Sequence, residues 1–218
     1  MDMTDNETKT AAVTGNAASA EKDFKGGLIN EVLDWIESFA FASFIVLLVF
    51  IFLFRTVVVD GASMNPTLYN SQRLVLTHFR YVPEQGDIIV ANSPGLNKTI
   101  IKRCIGVAGD KVKVDYGTHT VTVNGTKLDE PYLDASDPMT LKPYFDETYR
   151  VSDMVYEYTV PEGTVFAMGD NRNGSNDSRS SDVGFIKKED ILGRAFFRFY
   201  IGKDDSGNKN PGKIGSLK

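Results

Sequence analysis

Thr99-Ile-Ile-Lys-Arg-Cys-Ile-Gly-Val-Ala-Gly-Asp-Lys-Val-Lys-Val-Asp-Tyr-Gly-Thr-His-Thr-Val-Thr-Val-Asn-Gly125 is the stretch that decides the fold. Lys111-Val-Lys-Val114 and Thr120-Val-Thr-Val123 alternate polar and branched apolar residues with a period of two, as a strand with one buried face does. Asn124-Gly125 is the residue pair that a type I′ hairpin turn favours. Thr99-Ile-Ile101 is a further β-rich run. Moving outward, Arg73-Leu-Val-Leu76, Asp87-Ile-Ile-Val90, Thr164-Val-Phe-Ala-Met168 and Gly193-Arg-Ala-Phe-Phe-Arg-Phe-Tyr200 read the same way. No long amphipathic helical pattern occurs in residues 55–218, so this part is expected to be mainly β, closing as a barrel or sandwich. Residues 131–158 mix polar and aromatic residues without a period and are expected to be an insertion. Residues 201–218 are expected to be a C-terminal tail.

Phe39-Ala-Phe-Ala-Ser-Phe-Ile-Val-Leu-Leu-Val-Phe-Ile-Phe-Leu-Phe54 differs from everything after it. Its 16 residues carry no charge and as a helix span about 24 Å, short of a bilayer core of roughly 30 Å. Trp35 and Ile36 extend it on one side, and Arg55 can snorkel on the other. A helix in a soluble core would show a polar face, and a cleaved signal would follow a short basic region. This run has no polar face and starts after an acidic stretch, so it reads as a retained single transmembrane helix. The expected organisation is a disordered tail at 1–27, an amphipathic lead-in and anchor at 28–55, and a β domain at 56–200. Lys9, Lys22 and Lys25 precede the anchor and only Arg55 follows closely, which places the N-terminus on the cytoplasmic side and the large domain outside.

Composition removes several classes of function. The net charge of −5 over 218 residues argues against nucleic acid as a partner. One cysteine, Cys104, permits no internal disulfide. Two histidines, His78 and His119, are too few for a zinc site of the usual kind, so no metal and no cofactor is expected.

Three segments could carry chemistry. In Asp60-Gly-Ala-Ser-Met-Asn-Pro-Thr-Leu68, Gly61 allows a sharp turn and Pro66 fixes the chain after it, exposing the Ser63 hydroxyl beside backbone N–H groups. The run matches neither G-x-S-x-G nor S-x-x-K. An ordinary turn serine is the competing reading. A serine nucleophile needs a base, and neither histidine sits in a partner motif. Lysine can serve if burial keeps it neutral. Lys102, between Ile100-Ile101 and Arg103-Cys-Ile105, has the surroundings for that; a lysine on the solvent face of an edge strand is the alternative. The third segment, Met168-Gly-Asp-Asn-Arg-Asn-Gly-Ser-Asn-Asp-Ser-Arg179, is dense in hydrogen-bonding groups. It fails the EF-hand pattern because Arg172 stands where an acidic ligand is needed.

These segments together resemble bacterial type I signal peptidase, in its single-span Gram-positive form. The matching runs are Ser63-Met-x-Pro-Thr67, Gly86-Asp-Ile-Ile-Val90, Lys102-Arg-Cys-Ile-Gly with Gly109-Asp110, and Gly169-Asp-Asn-Arg through Ser175, Asp177 and Arg179. The resemblance implies a membrane-bound serine endopeptidase that removes signal peptides from exported preproteins with a Ser/Lys dyad. Ser63 would be the nucleophile, Lys102 the general base, and Ser175 the hydroxyl that orients the lysine amine. Asp177 with Arg179, and Asp170 with Arg103, would be supporting ion pairs. The Ser63 N–H would be one oxyanion donor. The hydroxyl that some members place two residues earlier is replaced by Gly61, leaving a glycine N–H or a water as second donor. Val57, Val59, Met64, Leu68, Ile100 and Ile101 would form shallow apolar pockets for an extended peptide. Alternate side chains of a strand point the same way, so small residues are expected at two positions spaced by two, an Ala-x-Ala pattern. Ser63 follows Phe54 by nine residues, a link that reaches about 30 Å at most, so the expected place of work is beside the bilayer of the cell membrane. A peptidase dedicated to one secreted or pilin-type partner, and an anchored peptide-binding domain without catalysis, are the competing functions. A self-cleaving repressor would need a DNA-binding domain where the anchor stands.

Overall fold

The computed structural model describes residues 31–203 and 207–217. The expected tail at 1–27 and the first residues of the lead-in lie outside them. The chain divides into two units, at Met1–Phe52 and Leu53–Lys218.

In the first unit, helix α1 (Glu31–Leu53) runs for 23 residues, about 35 Å, which is enough to cross a bilayer core. Lead-in and anchor are one continuous helix. Large apolar side chains face outward along it, among them Trp35, Phe39, Phe41, Phe50 and Phe52. Phe54 and Arg55, assigned to the anchor from composition, are instead extended and open the first strand. The β-branched run Thr56-Val-Val-Val59 favours a strand there.

The second unit is mainly β, as expected. Its larger sheet contains β1 (Phe54–Val58), β2 (Arg73–Thr77), β3 (Ile88–Ser93) and β4 (Lys98–Val107), joined later by further strands. The smaller sheet is built from β5 (Lys111–Asp115), β6 (Thr120–Val123), β7 (Thr126–Lys127), β8 (Arg150–Ser152) and β9 (Val155–Thr159), in the order β7-β6-β5-β9-β8. The chain then returns to the larger sheet with β10 (Thr164–Met168), β11 (Ile186–Lys187), β12 (Ile191–Tyr200) and β13 (Gly215–Ser216). That sheet runs β1-β2-β12-β3-β4-β10-β11, with β13 beside β12. The Asn124-Gly125 turn joins β6 to β7, with both residues at positive φ.

Two expectations about boundaries change. Residues 131–158 are not one excursion: β8 and β9 belong to the smaller sheet, where Val112 pairs with Tyr158 and Val114 with Tyr156. The segment after 200 is not simply a tail. Gly215 and Ser216 pair with β12, the Leu217 N–H donates to Phe196 O at 2.8 Å, and Leu217 is buried.

A core between the sheets gathers Val112, Val114, Tyr156 and Tyr158 of the smaller sheet with Ile105, Phe166 and Met168 of the larger. A second cluster, with Val59, Met64, Leu68, Leu74, Leu76 and Val90, lies behind the Ser63 turn. Truncating one such buried side chain to alanine costs about 2–5 kcal/mol, so this floor holds the turn firmly. Strand β4 pairs with β3 from Lys98 to Arg103 and with β10 only from Arg103 to Val107. Among the described residues, no strand pairs with Lys98–Lys102 on the side away from β3, nor with β1 on the side away from β2.

Candidate active site

Ser63 stands in the turn that follows β1. The turn is pinned at its base, where the Val59 N–H donates to Gln72 O and the Ser71 N–H to Val59 O, both at 2.8 Å. Gly61 has φ +90°, a conformation side chains disfavour, and this lets the chain reverse direction. From above, the loop at 169–180 grips the turn. The Asn171 N–H donates to Ser63 O at 3.0 Å and Asn171 Nδ2 to Ala62 O at 3.2 Å. Gly169 packs so closely that a Cβ there would collide with both Ser63 O and Ser175 Oγ.

Lys102 lies at the centre of β4, in a run buried from Ile100 to Gly106. It is 3% exposed. Its amine is 2.8 Å from Ser63 Oγ. Charged, Nζ donates to the hydroxyl; neutral, it accepts the hydroxyl proton. Burial pulls its pKa from the ordinary 10.5 down to about 8. Asp177 opposes this, Lys98 and Arg179 add to it, and Asp170 opposes it again. No carboxylate forms an ion pair with it among the described residues, so desolvation prevails.

The expected ion pairs are both present and deeply buried. Arg103 Nε and Nη2 meet Asp170 Oδ1 and Oδ2 at 2.9 and 2.7 Å. Burial would lower the Arg103 pKa, but Asp170 outweighs it and raises the pKa above its ordinary value. Arg179 Nε and Nη2 meet Asp177 Oδ1 and Oδ2 at 2.8 and 2.9 Å. Burial would raise Asp177, yet Arg179 and the Gly169 N–H keep its carboxyl below the usual range. The Gly169 bond is 2.9 Å, so this pair fixes the glycine that abuts the serine.

Ser175 is buried in this corner beside Gly169. Its Oγ makes no hydrogen bond to the Lys102 amine; it lies beside the Asp177 carboxylate and helps to hold that carboxyl's pKa down. Gly61 does not offer a free donor, because its N–H donates to Asn70 Oδ1 at 3.1 Å. The Ser63 N–H has no acceptor among the described residues.

A cleft of about 360 Å³ opens over Ser63 and Lys102. Val57, Val59, Met64, Ile100 and Ile101 line it, with Gly174 and Asn176 at the rim. Leu68 does not. The Leu68 N–H closes one turn onto Met64 O at 2.9 Å, and its side chain is wholly buried in the floor. Leu68 therefore supports the cleft without facing a substrate, contrary to the expectation for it.

Several supporting residues were not singled out from the sequence. Thr67 Oγ1 donates to Asp170 Oδ2 at 2.5 Å, joining the serine turn to the Arg103 pair. The Tyr132 ring lies 3.9 Å from the Arg103 guanidinium carbon, a cation–π contact. Glu130 pairs with buried Arg172. Thr67, Gly169 and Asn171 lie inside runs already noted, where they had no assigned role. Glu130 and Tyr132 carry no local signal. Among the described residues no group of acidic, cysteine or histidine side chains is arranged to hold a metal ion.

Residues 32–200 match the family model described as signal peptidase, peptidase S26. Signal peptidase IB of Staphylococcus aureus is 35% identical over 188 residues, which cover 83% of this chain and 96% of that protein. Signal peptidase I S of Bacillus subtilis is 37% identical over 172 residues, 78% of this chain and 89% of that one. A crystal structure of a signal peptidase I from Enterococcus faecalis is 35% identical, covers 52% of this chain and 97% of that chain, and superposes with a TM-score of 0.41.

Proposed function

The chain belongs to the signal peptidase family, peptidase S26, and from that premise we propose that Ser63 and Lys102 are the dyad with which it cuts. It is a serine endopeptidase that removes signal peptides from exported preproteins, and it carries an apolar helix near its N-terminus that anchors it in a membrane.

The observation that carries the assignment of residues is the buried Lys102 amine, 2.8 Å from Ser63 Oγ and without an ion-pair partner. Neutral Nζ takes the hydroxyl proton as Oγ attacks the scissile carbonyl. The oxyanion of the tetrahedral intermediate faces the Ser63 N–H. Collapse breaks the C–N bond, and the lysine proton passes to the departing amine. An acyl group is left on Ser63. Water then attacks the ester, Nζ takes a proton from it, and the signal peptide leaves as a carboxylic acid while Oγ regains its hydrogen. With a pKa near 8, about a tenth of the lysine is neutral at pH 7, against roughly four in ten thousand for an ordinary lysine.

The open edges of β1 and of Lys98–Lys102 support binding of the signal peptide as an added strand. Branched walls at Val57, Val59, Ile100 and Ile101 leave room for small side chains, which supports an Ala-x-Ala preference. The lysines before the helix support a cytoplasmic N-terminus, with the catalytic unit on the outer face of the bacterial cell membrane and against its lipid. Asp177 with Arg179 and Asp170 with Arg103 support the site as ion pairs, whereas Ser175 packs against Gly169 without reaching the Lys102 amine, whose hydrogen-bond partner is Ser63 Oγ. Gly61 serves the turn and not the oxyanion, because its N–H is engaged.

The test is cleavage of a signal-bearing precursor by the detergent-solubilised full chain. Ser63→Ala and Lys102→Ala should each lose activity while keeping the thermal unfolding of a folded domain. Full activity in Lys102→Ala would sink the dyad.

A further inference from the structure

The cleft over Ser63 ends at the strap formed by Asn171 on Ser63 O and Ala62 O. On the far side of that strap a second, larger groove of about 470 Å³ begins at Asn65 and Asn171. Its outer wall is the segment 133–139, with Asp134 and Asp137 facing solvent and His119 beside Met139.

This wall is held by the catalytic loop itself. Asn173 Nδ2 donates to Asp137 Oδ1 at 2.7 Å and to Pro138 O at 2.9 Å. Its Oδ1 accepts from the Thr140 N–H at 2.8 Å and the Thr140 hydroxyl at 2.7 Å. Arg172, next in the chain, pairs with Glu130. His119 Nδ1 lies 2.7 Å from Met139 O. The segment is thus tied from both ends to the loop that grips the nucleophile. Nothing in the hydrolysis of the acyl half requires it.

An extended substrate that crosses Ser63 advances about 3.3 Å per residue. Asn65, two residues on from Ser63, lines the second groove, so a chain leaving Ser63 on that side would enter it. The other charged groups of the groove are already paired, Asp170 with Arg103 and Arg172 with Glu130. Asp134 and Asp137 therefore set the sign of its outer wall. Resting on the Ser63 reading, we propose that this groove binds the first residues of the mature protein, those just after the cut, and that Asp134 and Asp137 make it favour basic and neutral residues there over acidic ones.

The test uses the solubilised full chain and a set of precursor peptides identical up to the cut, with Lys, Gln or Glu at the second to fifth positions after it. The expected result is a kcat/KM about threefold to tenfold higher for Lys than for Glu, a size typical of exposed charge pairs. The difference should shrink in 1 M salt. Asp134→Asn with Asp137→Asn, which keeps an acceptor for Asn173, should flatten the series, bringing the Lys and Glu peptides to the same kcat/KM. Asp134→Lys should tilt it the other way. Equal rates across the series in the wild type, or a preference that survives both neutral substitutions, would overturn the groove assignment. So would a charge preference that appears only when the same substitutions are made before the cut. Ser63→Ala separates the two readings: if it still cleaves, the nucleophile assignment has failed, whereas a dead Ser63→Ala beside a flat wild-type series rejects the groove alone.

Discussion

Lys102 and Arg103 are neighbours on β4, equally buried at 3% and 2% exposure, and on opposite faces of the strand they meet opposite fates. On one face Arg103 finds a two-pronged carboxylate in Asp170 and an aromatic ring in Tyr132, and its charge is locked in. On the other, Lys102 finds a neutral hydroxyl, and its pKa falls to about 8. Burial is common to both, so burial alone does not make a base. What makes one is burial without a counter-ion close enough to offset the loss of water.

The most damaging way to break the contrast is to make the two positions alike. Lys102→Arg should lower kcat/KM by at least about 10³-fold, because a guanidinium does not give up its proton in a protein. Precursor cleavage at pH 7 and 9 would show it, and higher pH should not rescue the variant. On the other face, Asp170→Asn leaves the Arg103 charge without its partner. Such losses cost about 3–5 kcal/mol, read as a lower urea midpoint of the catalytic unit in the full chain.

Removing the lysine charge should have the opposite sign. A fall from 10.5 to about 8 corresponds to about 3 kcal/mol. Below pH 8 both folded and unfolded chains carry the proton, and the folded chain bears the full cost of burying it. As pH rises from 8 to 10.5 the folded chain is already neutral while the unfolded one is not, and the cost fades. Lys102→Met should therefore unfold at higher temperature than the wild type at pH 7, with the gain vanishing above about pH 10.5. In the wild type, kcat/KM should climb with an inflection near pH 8. The smallest effect belongs to Lys98, whose charge helps to depress Lys102. Lys98→Gln should move that inflection slightly upward, visible in a pH series on one precursor.

Much of this site was legible because its signals are local. Lys102 among branched aliphatics fits either a desolvated amine or the solvent face of an edge strand, and Ser63 fits an ordinary turn; the three runs taken together, more than either residue alone, point to the site. The polar loop at 169–180 showed its aspartates and arginines at close range. What stayed hidden depends on contacts between distant parts of the chain. Glu130 meets Arg172 and Tyr132 meets Arg103 only because the smaller sheet folds back over the larger, and neither residue sits in a period or motif. β13 was unreadable for the same reason: two residues and Leu217 carry no pattern, and their place comes from the edge that β12 leaves for them. The anchor erred by two residues because Phe54 and Arg55 suit either an apolar helix or the strand that follows.

The unpaired edge of β4 also carries a hazard of its own. A strand edge without a partner offers its backbone groups to another copy of the chain as readily as to any other, and such edges seed aggregation. Here the exposed stretch is short, opens with the charge of Lys98, and gives way to a paired strand by Arg103. Across the cleft, Asp60 adds the other sign. Short length and opposite charges on its two sides make this slot a poor template for pairing with a second copy of the chain.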